Sequence, residues 1–161
     1  MDCLHLLIIK NYGMRTNNLI REIQVEDKVQ WQMLYKNYAR FYKVEVNNQI
    51  LETVWNWLHD KNHDVNGLVY IADGEVVAFA HFRRMPRPLK GTYIGFLDDL
   101  FVDTKHRGKK IGEQLINELK KISTAKGWDL IRWLTANDNY RAKKLYDKVA
   151  QKTSWDLYEL K

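Results

Sequence analysis

Apolar and polar positions at the start of the chain follow first a strand-like and then a helix-like spacing. Residues 19–25 alternate, which is typical of a strand with one buried face. Asp27 can cap a helix whose apolar positions are Val29, Met33, Leu34, Tyr38 and Phe41. A second helix carries an apolar face formed by Ile50, Leu51, Val54, Trp55 and Leu58. This part of the chain predicts one strand and two amphipathic helices.

The middle of the chain predicts three further strands. Residues 66–72 and 75–83 form a hairpin around Asp73-Gly74, which is a strong turn signal. The sequence Met85-Pro86-Arg87-Pro88 is expected to end the second strand, because proline cannot sit inside a paired central strand. Residues 92–102 are then the central strand of the sheet.

A helix predicted over residues 111–126 follows a loop suited to an anion. Its apolar stripe recurs at spacings of three and four and consists of Ile111, Leu115, Ile116, Leu119 and Ile122. Arg107, Lys109 and Lys110 are basic, and Gly108 and Gly112 let a ligand approach the backbone. Unpaired N–H groups and the positive end of the helix dipole lie at the same point. We therefore expect a ligand that carries phosphate.

The last third predicts a strand, a helix and a final strand. Residues 129–134 form a strand parallel to the central one, since a right-handed β-α-β connection joins the two. Asn137 or Asp138 caps a helix that ends near Val149. Residues 153–159 form the last strand.

The length of 161 residues suits one domain with its own core. We expect residues 1–18 to be a poorly ordered N-terminal extension and residues 19–161 to form the domain. The pattern leaves open whether Met1 or Met14 is the biological start. Cys3 is the one cysteine, so no intrachain disulfide is possible, and a reducing, cytoplasmic location is expected. No apolar run is long enough to span a membrane.

The net charge of +6 does not by itself indicate a nucleic-acid-binding protein. Basic and acidic residues are interleaved, and the densest basic groups lie at 105–110 and 141–144, where a phosphate-rich cofactor explains them better. We expect neither a nucleic acid nor a membrane as partner. No metal site is expected, and a surface position is expected for the five histidines, which are His5, His59, His63, His81 and His106.

Three motifs resemble those of the GCN5-related N-acetyltransferases, the GNAT family. Residues 107–112 are similar to the family's Arg-x-x-Gly-x-Gly pyrophosphate loop, with Lys110 in place of the first glycine. Residues 139–146 are similar to its Asn-x-x-Ala-x-x-x-Tyr signature, and residues 97–102 resemble its central strand. The resemblance covers residues 19–161 and is closest to the histone/polyamine and spermidine/spermine branches.

The resemblance implies an α/β GNAT fold with a mixed sheet of about six to seven strands and about four helices. It also implies acetyl-CoA as cofactor, with coenzyme A as product. The pantetheine would pair with the main chain after the acidic pair of the central strand, and the pyrophosphate would bind the loop. The implied cofactor-binding residues are Leu100, Phe101, Val102, Arg107, Gly108, Lys109, Lys110, Ile111, Gly112, Asn139, Ala142 and Tyr146.

Two catalytic residues follow from the resemblance. Tyr146 would be the general acid that protonates the departing thiolate, with a buried structural tyrosine as the alternative. Asp98 or Asp99 would supply the base; the Leu-Glu-Asp motif of the spermidine/spermine enzymes favours Asp98, and an ion pair is preferred for Asp99. Adjacent strand residues should face opposite sides unless a bulge intervenes. Lys110 could either crowd the pyrophosphate or pair with it.

The expected acceptor is the primary amine of a small molecule, either a polyamine, an amino acid or a lysine-like compound. Its candidate binding residues are Tyr35, Tyr38, Asp99 and Trp133. The alternatives are acetylation of a protein or peptide at a lysine or N-terminus, and a non-catalytic acyl-CoA-binding module. A homodimer is also expected, since many members of the family are dimers.

Overall fold

A computed structural model describes residues 18–161, so Cys3, His5 and all but one residue of the expected N-terminal extension lie outside the described part. The strands are β1 (Leu19–Glu22), β2 (Val65–Ala72), β3 (Glu75–Arg87), β4 (Thr92–Val102) and β5 (Ile131–Trp133). The helices are α1 (Lys28–Phe41), α2 (Asn48–His59), α3 (Ile111–Ala125) and α4 (Tyr140–Val149).

The five strands form one mixed sheet in the order β1-β2-β3-β4-β5. The first three neighbouring pairs are antiparallel, and β4 and β5 are parallel, as the β-α-β connection predicts. The α/β fold class is therefore confirmed, with five strands in the described residues instead of about six to seven. The expected strand at 153–159 is absent from residues 18–161, which have no regular structure there. Alternating side chains make a strand only where a sheet edge pairs with them.

Strand β3 continues through Pro86 to Arg87, so the expectation that proline ends it is wrong. Its pairing with β2 ends where Val65 faces Arg83, whereas its pairing with β4 continues until Arg87 faces Thr92. Beyond Arg83 the strand is therefore an edge of the sheet, where a residue without an N–H is tolerated.

Two helix starts differ from the sequence expectation. The side chain of Asp27 makes no cap bond to α1; it is buried and accepts hydrogen bonds from Arg21, at 2.7 and 2.8 Å, and from the Gln24 N–H, at 2.8 Å. Helix α4 is capped by Asn139, and not by Asn137 or Asp138, because the Asn139 carboxamide accepts from the Ala142 N–H.

The helices cover the two faces of the sheet and give each face its own core. Helices α1 and α2 pack Trp31, Leu51 and Val54 against Phe79 and Phe101. In α1 the buried positions are Trp31, Leu34 and Ala39, whereas Val29, Met33 and Phe41 are exposed, contrary to the predicted stripe. The opposite face packs against α3, whose buried residues include the predicted Ile111, Leu115, Ile116 and Leu119.

Among residues 18–161, no helix has the length and apolar character that crossing a bilayer requires. The same residues contain no cluster of three or more histidine, cysteine, aspartate or glutamate side chains arranged to hold a metal ion.

Candidate active site

A β-bulge in β4 sets the direction of the two acidic side chains. Across the β3–β4 pair, His81 faces Asp99 and the next residue, Phe82, faces Leu97, so Asp98 is the extra residue. A regular strand would place adjacent residues on opposite faces. Here Asp98 bonds to Arg83 and Asp99 bonds to His81, so both carboxylates lie on the face covered by α1.

The partners of the two carboxylates differ. Both Asp98 oxygens lie 3.1 Å from the Arg83 Nε, and burial raises the pKa of Asp98 more than this bond lowers it. The ion pair with a basic residue, which the sequence favoured for Asp99, is thus formed by Asp98. The choice of Asp98 as base stays a prediction.

The pairing of the central strand with its neighbour β5 ends at Leu97, directly before the acidic pair. Parallel pairing of β4 with β5 starts at Gly95 and ends where Leu97 faces Trp133. From Leu100 to Val102 the strand keeps β3 on one side, while the other side no longer faces β5. Among residues 18–161, only the Val102 carbonyl has a partner on this side, the Arg107 Nε, so the other backbone groups there are open to a ligand that offers donors and acceptors of its own.

A cavity of about 400 Å³ opens at this point, between the end of α1, the end of β4, the start of α3 and one side of α4. All but one of the implied cofactor-binding residues line it, namely Leu100, Phe101, Val102, Arg107, Gly108, Lys110, Ile111, Gly112, Asn139, Ala142 and Tyr146. The exception is Lys109, which is exposed and lies outside the lining. The cavity has a volume suited to a small-molecule ligand.

The loop before α3 turns through two left-handed residues. Gly108 has a φ of 84° and Lys110 a φ of 60°, and no side chain in the described part of the protein caps the N-terminus of α3. The first N–H groups of a helix have no intrahelical partner and carry a partial positive charge, so they form an anion site facing the cavity.

Gly112 shows that this site fits a ligand that approaches closely. A Cβ built there would meet its nearest neighbour, the Leu145 Cδ2, at 3.4 Å, which is ordinary contact. Packing within the protein therefore does not require glycine at this position. The missing methyl group instead leaves room on the cavity wall, as a phosphate cradle needs.

The charge of the cavity wall is strongly positive. Among the described residues that line it, Glu113 is the one acid, against five cations, which are Arg107, Lys110, Arg141, Lys144 and Lys148. Burial, followed by the positive charge of Arg141, lowers the pKa of Arg107, whose Nε donates to the Val102 carbonyl at 3.0 Å. A polyanionic ligand would relieve this repulsion.

The model of the acetyltransferase (GNAT) family matches residues 31–150 of the chain, which include the cavity-lining residues named above. The chain belongs to the GNAT family. It is an N-acetyltransferase, and acetyl-CoA is its acetyl donor.

One curated relative is similar in sequence, and solved structures share the fold. A D-amino-acid N-acetyltransferase of Saccharomyces cerevisiae is 27% identical over 143 residues, which cover 88% of this chain and 89% of the relative. A ribosomal-protein-alanine N-acetyltransferase from Brucella melitensis shares the fold with a TM-score of 0.74 and 24% identity, covering 89% and 98% of the two chains. An aminoglycoside N-acetyltransferase solved with CoA has a TM-score of 0.77 and 19% identity, covering 91% and 95%.

In this GNAT the expected general acid lies in the cavity wall. Tyr146 is half-buried and packs edge-on against Trp133, with the ring centroids 5.3 Å apart. Burial, with a smaller contribution from Tyr42, raises the pKa of Tyr146 to about 12. The hydroxyl therefore stays protonated near neutral pH and can donate a proton.

Asn139 combines a structural role with a place in the cavity wall. While its carboxamide oxygen caps α4, its Nδ2 donates to the Tyr42 hydroxyl at 3.4 Å. Because Tyr42 follows the last residue of α1, this bond joins α1 to α4 across the cavity.

The candidate acceptor-binding residues divide between the cavity and its surroundings. Tyr38 lines the cavity, whereas Tyr35, Asp99 and Trp133 lie outside the lining, as does Asp98, the expected base. The ring of Tyr35 stacks on Trp31 at 5.1 Å and on Tyr38 at 6.0 Å. Burial and then the negative charge of Asp99 raise the pKa of Tyr35, to about 12, and that of Tyr38, so Asp99 lies close to both hydroxyls.

The expectation of a surface position for His81 is wrong. This side chain is 1% exposed and bonds to Trp31 and to Asp99. A buried polar atom without a hydrogen bond is unfavourable, so a histidine here needs bonds to both of its ring nitrogens. The signal was its place two residues after Phe79, inside the otherwise apolar run of β3.

Proposed function

We propose that this GNAT transfers the acetyl group directly to the primary amine of a small molecule, such as a polyamine, an amino acid or a lysine-like compound. The main support is the bulge that turns both Asp98 and Asp99 toward α1, beside the aromatic rings of Tyr35 and Tyr38. Carboxylates and aromatic rings together attract an alkylammonium group. This surface adjoins the cavity through Tyr38.

The proposed chemistry needs a base that deprotonates the acceptor ammonium and an acid that protonates the departing thiolate. Bound acetyl-CoA supplies an acetyl thioester. A β4 carboxylate takes the first proton from the ammonium group, because only the neutral amine has a lone pair. As the C–N bond forms and the C–S bond breaks, Tyr146 gives its proton to the sulfur and regains one from the new amide nitrogen. The chain's one cysteine, Cys3, is far from these residues in sequence, which favours direct transfer.

Among the small amines, an amino acid has additional support. The yeast relative is named for D-amino acids, and Arg83 places a cation beside the two carboxylates, where an acceptor's carboxylate could bind. A polyamine has no such group and would depend on the carboxylates alone. Assignment of the chain to the histone/polyamine or spermidine/spermine branch stays a prediction.

The test is release of coenzyme A from acetyl-CoA with a panel of amines. The panel contains spermidine, spermine, lysine, D- and L-amino acids and a basic peptide, and calorimetry measures acetyl-CoA binding in parallel. We expect turnover with at least one small amine. Turnover with the peptide alone would favour protein acetylation, and tight binding without any turnover would favour a non-catalytic module.

The homodimer and the cytoplasmic location expected from the sequence also stay predictions. Large apolar side chains are exposed after α4, at Trp155, Leu157, Tyr158 and Leu160. Self-association would cover such a surface. Sedimentation of the parent protein and of the Trp155→Ser, Leu157→Ser variant would decide: a dimer that the variant weakens supports the prediction, and a monomeric parent contradicts it.

A further inference from the structure

A buried chain of hydrogen bonds joins α1 to the acidic pair through His81. The Trp31 Nε1 lies 2.9 Å from the His81 Nε2, and the His81 Nδ1 lies 2.9 Å from the Asp99 Oδ2. Trp31 is 0% exposed and His81 is 1% exposed, while the Asp99 side chain is 21% exposed. The chain therefore begins in the core and ends at a carboxylate that reaches the surface beside the cavity.

The donors in this chain determine the tautomer of His81. An indole nitrogen can only donate a hydrogen bond, so the His81 Nε2 must accept and cannot carry a proton. The proton of the neutral imidazole is then on Nδ1, which donates to Asp99. A second proton on the ring would break the buried bond to Trp31 and leave its N–H without a partner.

We propose that Trp31 and His81 are positioning residues that hold Asp99 as an oriented carboxylate, and that Asp99, rather than Asp98, receives the proton of the acceptor ammonium. This inference rests on the proposed acetyl transfer to an amine. A histidine that donates to a carboxylate through one nitrogen and is fixed at the other holds that carboxylate in one direction.

The contrast with Asp98 supports this assignment. Both oxygens of Asp98 lie at bonding distance from Arg83, whereas His81 bonds only to the Oδ2 of Asp99. Among residues 18–161, the other charged or titratable groups that face Asp99 are the Tyr38 hydroxyl, which is within hydrogen-bonding reach of it, the Tyr35 hydroxyl and the neighbouring Asp98. Both hydroxyls have raised pKa values and so remain neutral, and Asp98 is balanced by its arginine.

The first arm of the test compares Asp99→Asn with Asp98→Asn, which have nearly the same shape as the parent side chains. With the amine found in the panel, Asp99→Asn should lower kcat about 100-fold while the affinity for acetyl-CoA is unchanged. Asp98→Asn should have a much smaller effect. The reverse order would overturn the assignment.

The second arm tests the positioning role through pH. Trp31→Phe keeps an aromatic ring but removes the N–H, so the His81 Nε2 can take a proton on acidification. An imidazolium holds the Asp99 charge more firmly and makes the carboxylate a weaker base. The ratio of variant to parent kcat/KM should then be highest at alkaline pH and should fall as acidification protonates the ring.

The matched control for this arm is Trp55→Phe. Trp55 is buried in the same aromatic cluster, with its ring 5.0 Å from that of Trp31, and makes no bond to His81. The ratio of kcat/KM for Trp55→Phe to that of the parent should not depend on pH. A pH-independent ratio for Trp31→Phe as well would overturn the proposal, since a merely structural loss has no such dependence.

Nitrogen NMR of histidine-labelled parent protein keeps the inference testable if a variant does not fold or if no amine is acetylated. The His81 Nδ1 should carry the proton and the Nε2 should be unprotonated. The opposite tautomer, or a doubly protonated ring at the pH of the assay, would refute the positioning role. Absence of turnover with an intact Nδ1 tautomer would instead count against the proposed function.

Discussion

At the scale of single residues, Tyr146 offers the sharpest test of the transfer chemistry. Tyr146→Phe removes one hydroxyl from the cavity wall and keeps the ring that packs on Trp133. We expect kcat to fall about 100-fold, since general acid catalysis is lost, with little change in acetyl-CoA affinity. Steady-state kinetics and calorimetry measure the two quantities.

Tyr140→Phe is the matched control for that variant. Tyr140 lies on the same helix, is 71% exposed and does not line the cavity, so its removal should leave kcat unchanged. If Tyr146→Phe also kept the parent kcat, the tyrosine would have a structural role.

Lys110 is the second residue whose effect can be predicted, because its backbone is left-handed with a φ of 60°. A side chain makes this conformation unfavourable by about 1 kcal/mol compared with glycine. Lys110→Gly should raise the free energy of unfolding in denaturant by that amount. Its acetyl-CoA affinity should fall, because a cation leaves the cavity wall.

Lys109→Gly provides the comparison, since Lys109 is exposed and has no positive φ. This variant should not gain stability, because the new glycine only adds freedom to the unfolded chain. A tighter complex of Lys110→Gly with acetyl-CoA would show that the lysine crowds the pyrophosphate.

At the scale of elements, a substitution at the start of α3 should affect protein stability and ligand affinity differently. Gly112→Ala adds a methyl group that meets the protein only at ordinary contact distance, at 3.4 Å from Leu145. Stability should stay the same or rise by up to about 1 kcal/mol, since alanine favours a helix. Acetyl-CoA should bind at least about tenfold more weakly, because the methyl group occupies the cradle.

Asn117→Ala, on the exposed face of α3, is the control for this element. It should leave the calorimetric affinity at the parent value. Equal binding by Gly112→Ala would place the ligand away from the helix start.

Elements that carry their own pattern were predictable, and those that depend on a neighbour were not. The apolar stripe of α3 and the Asp73-Gly74 turn are local, and the structure confirms both. The length of β3 past Pro86 depends on where β2 ends, and the absence of a strand at 153–159 depends on an edge to pair with. The bulge at Asp98 depends on how β4 pairs with β3, and the sequence of β4 alone does not indicate its position.

At the scale of the whole molecule, buried tyrosines predict how stability depends on pH. The pKa values of Tyr35 and Tyr146 are raised to about 12 by burial, whereas an unfolded chain has about 10. The stability they contribute is complete below about pH 10 and is lost as pH rises through about 12, because the unfolded state releases its protons first. Denaturant titrations from pH 9 to 12 should show this loss.

Tyr35→Phe should reduce the slope of that loss, whereas Tyr158→Phe, at an 88% exposed position, should not. If the free energy of unfolding decreased with pH equally in the parent and both variants, groups other than Tyr35 would determine stability at alkaline pH.

The cavity as a whole was more predictable than the surface beside it. Residues 107–112 and 139–146 form motifs in the chain, and nearly all of the residues they implied line one cavity. His81 and Tyr42 belong to no motif, and they join the site only through α1, whose packing requires the complete fold. Sequence patterns identify groups that are close in the chain, whereas the bonds across α1, β3 and β4 depend on tertiary contacts.

The separation of β4 from β5 also has a consequence for the turnover of the protein in the cell. A ligand that pairs with the open backbone of Leu100 to Val102 binds the folded chain and not the unfolded one. At a concentration one hundred times its Kd, such a ligand adds about 2.7 kcal/mol to the free energy of unfolding. Resistance to proteases should therefore rise and fall with the acetyl-CoA supply, so that a starved cell clears this enzyme sooner than a well-fed one.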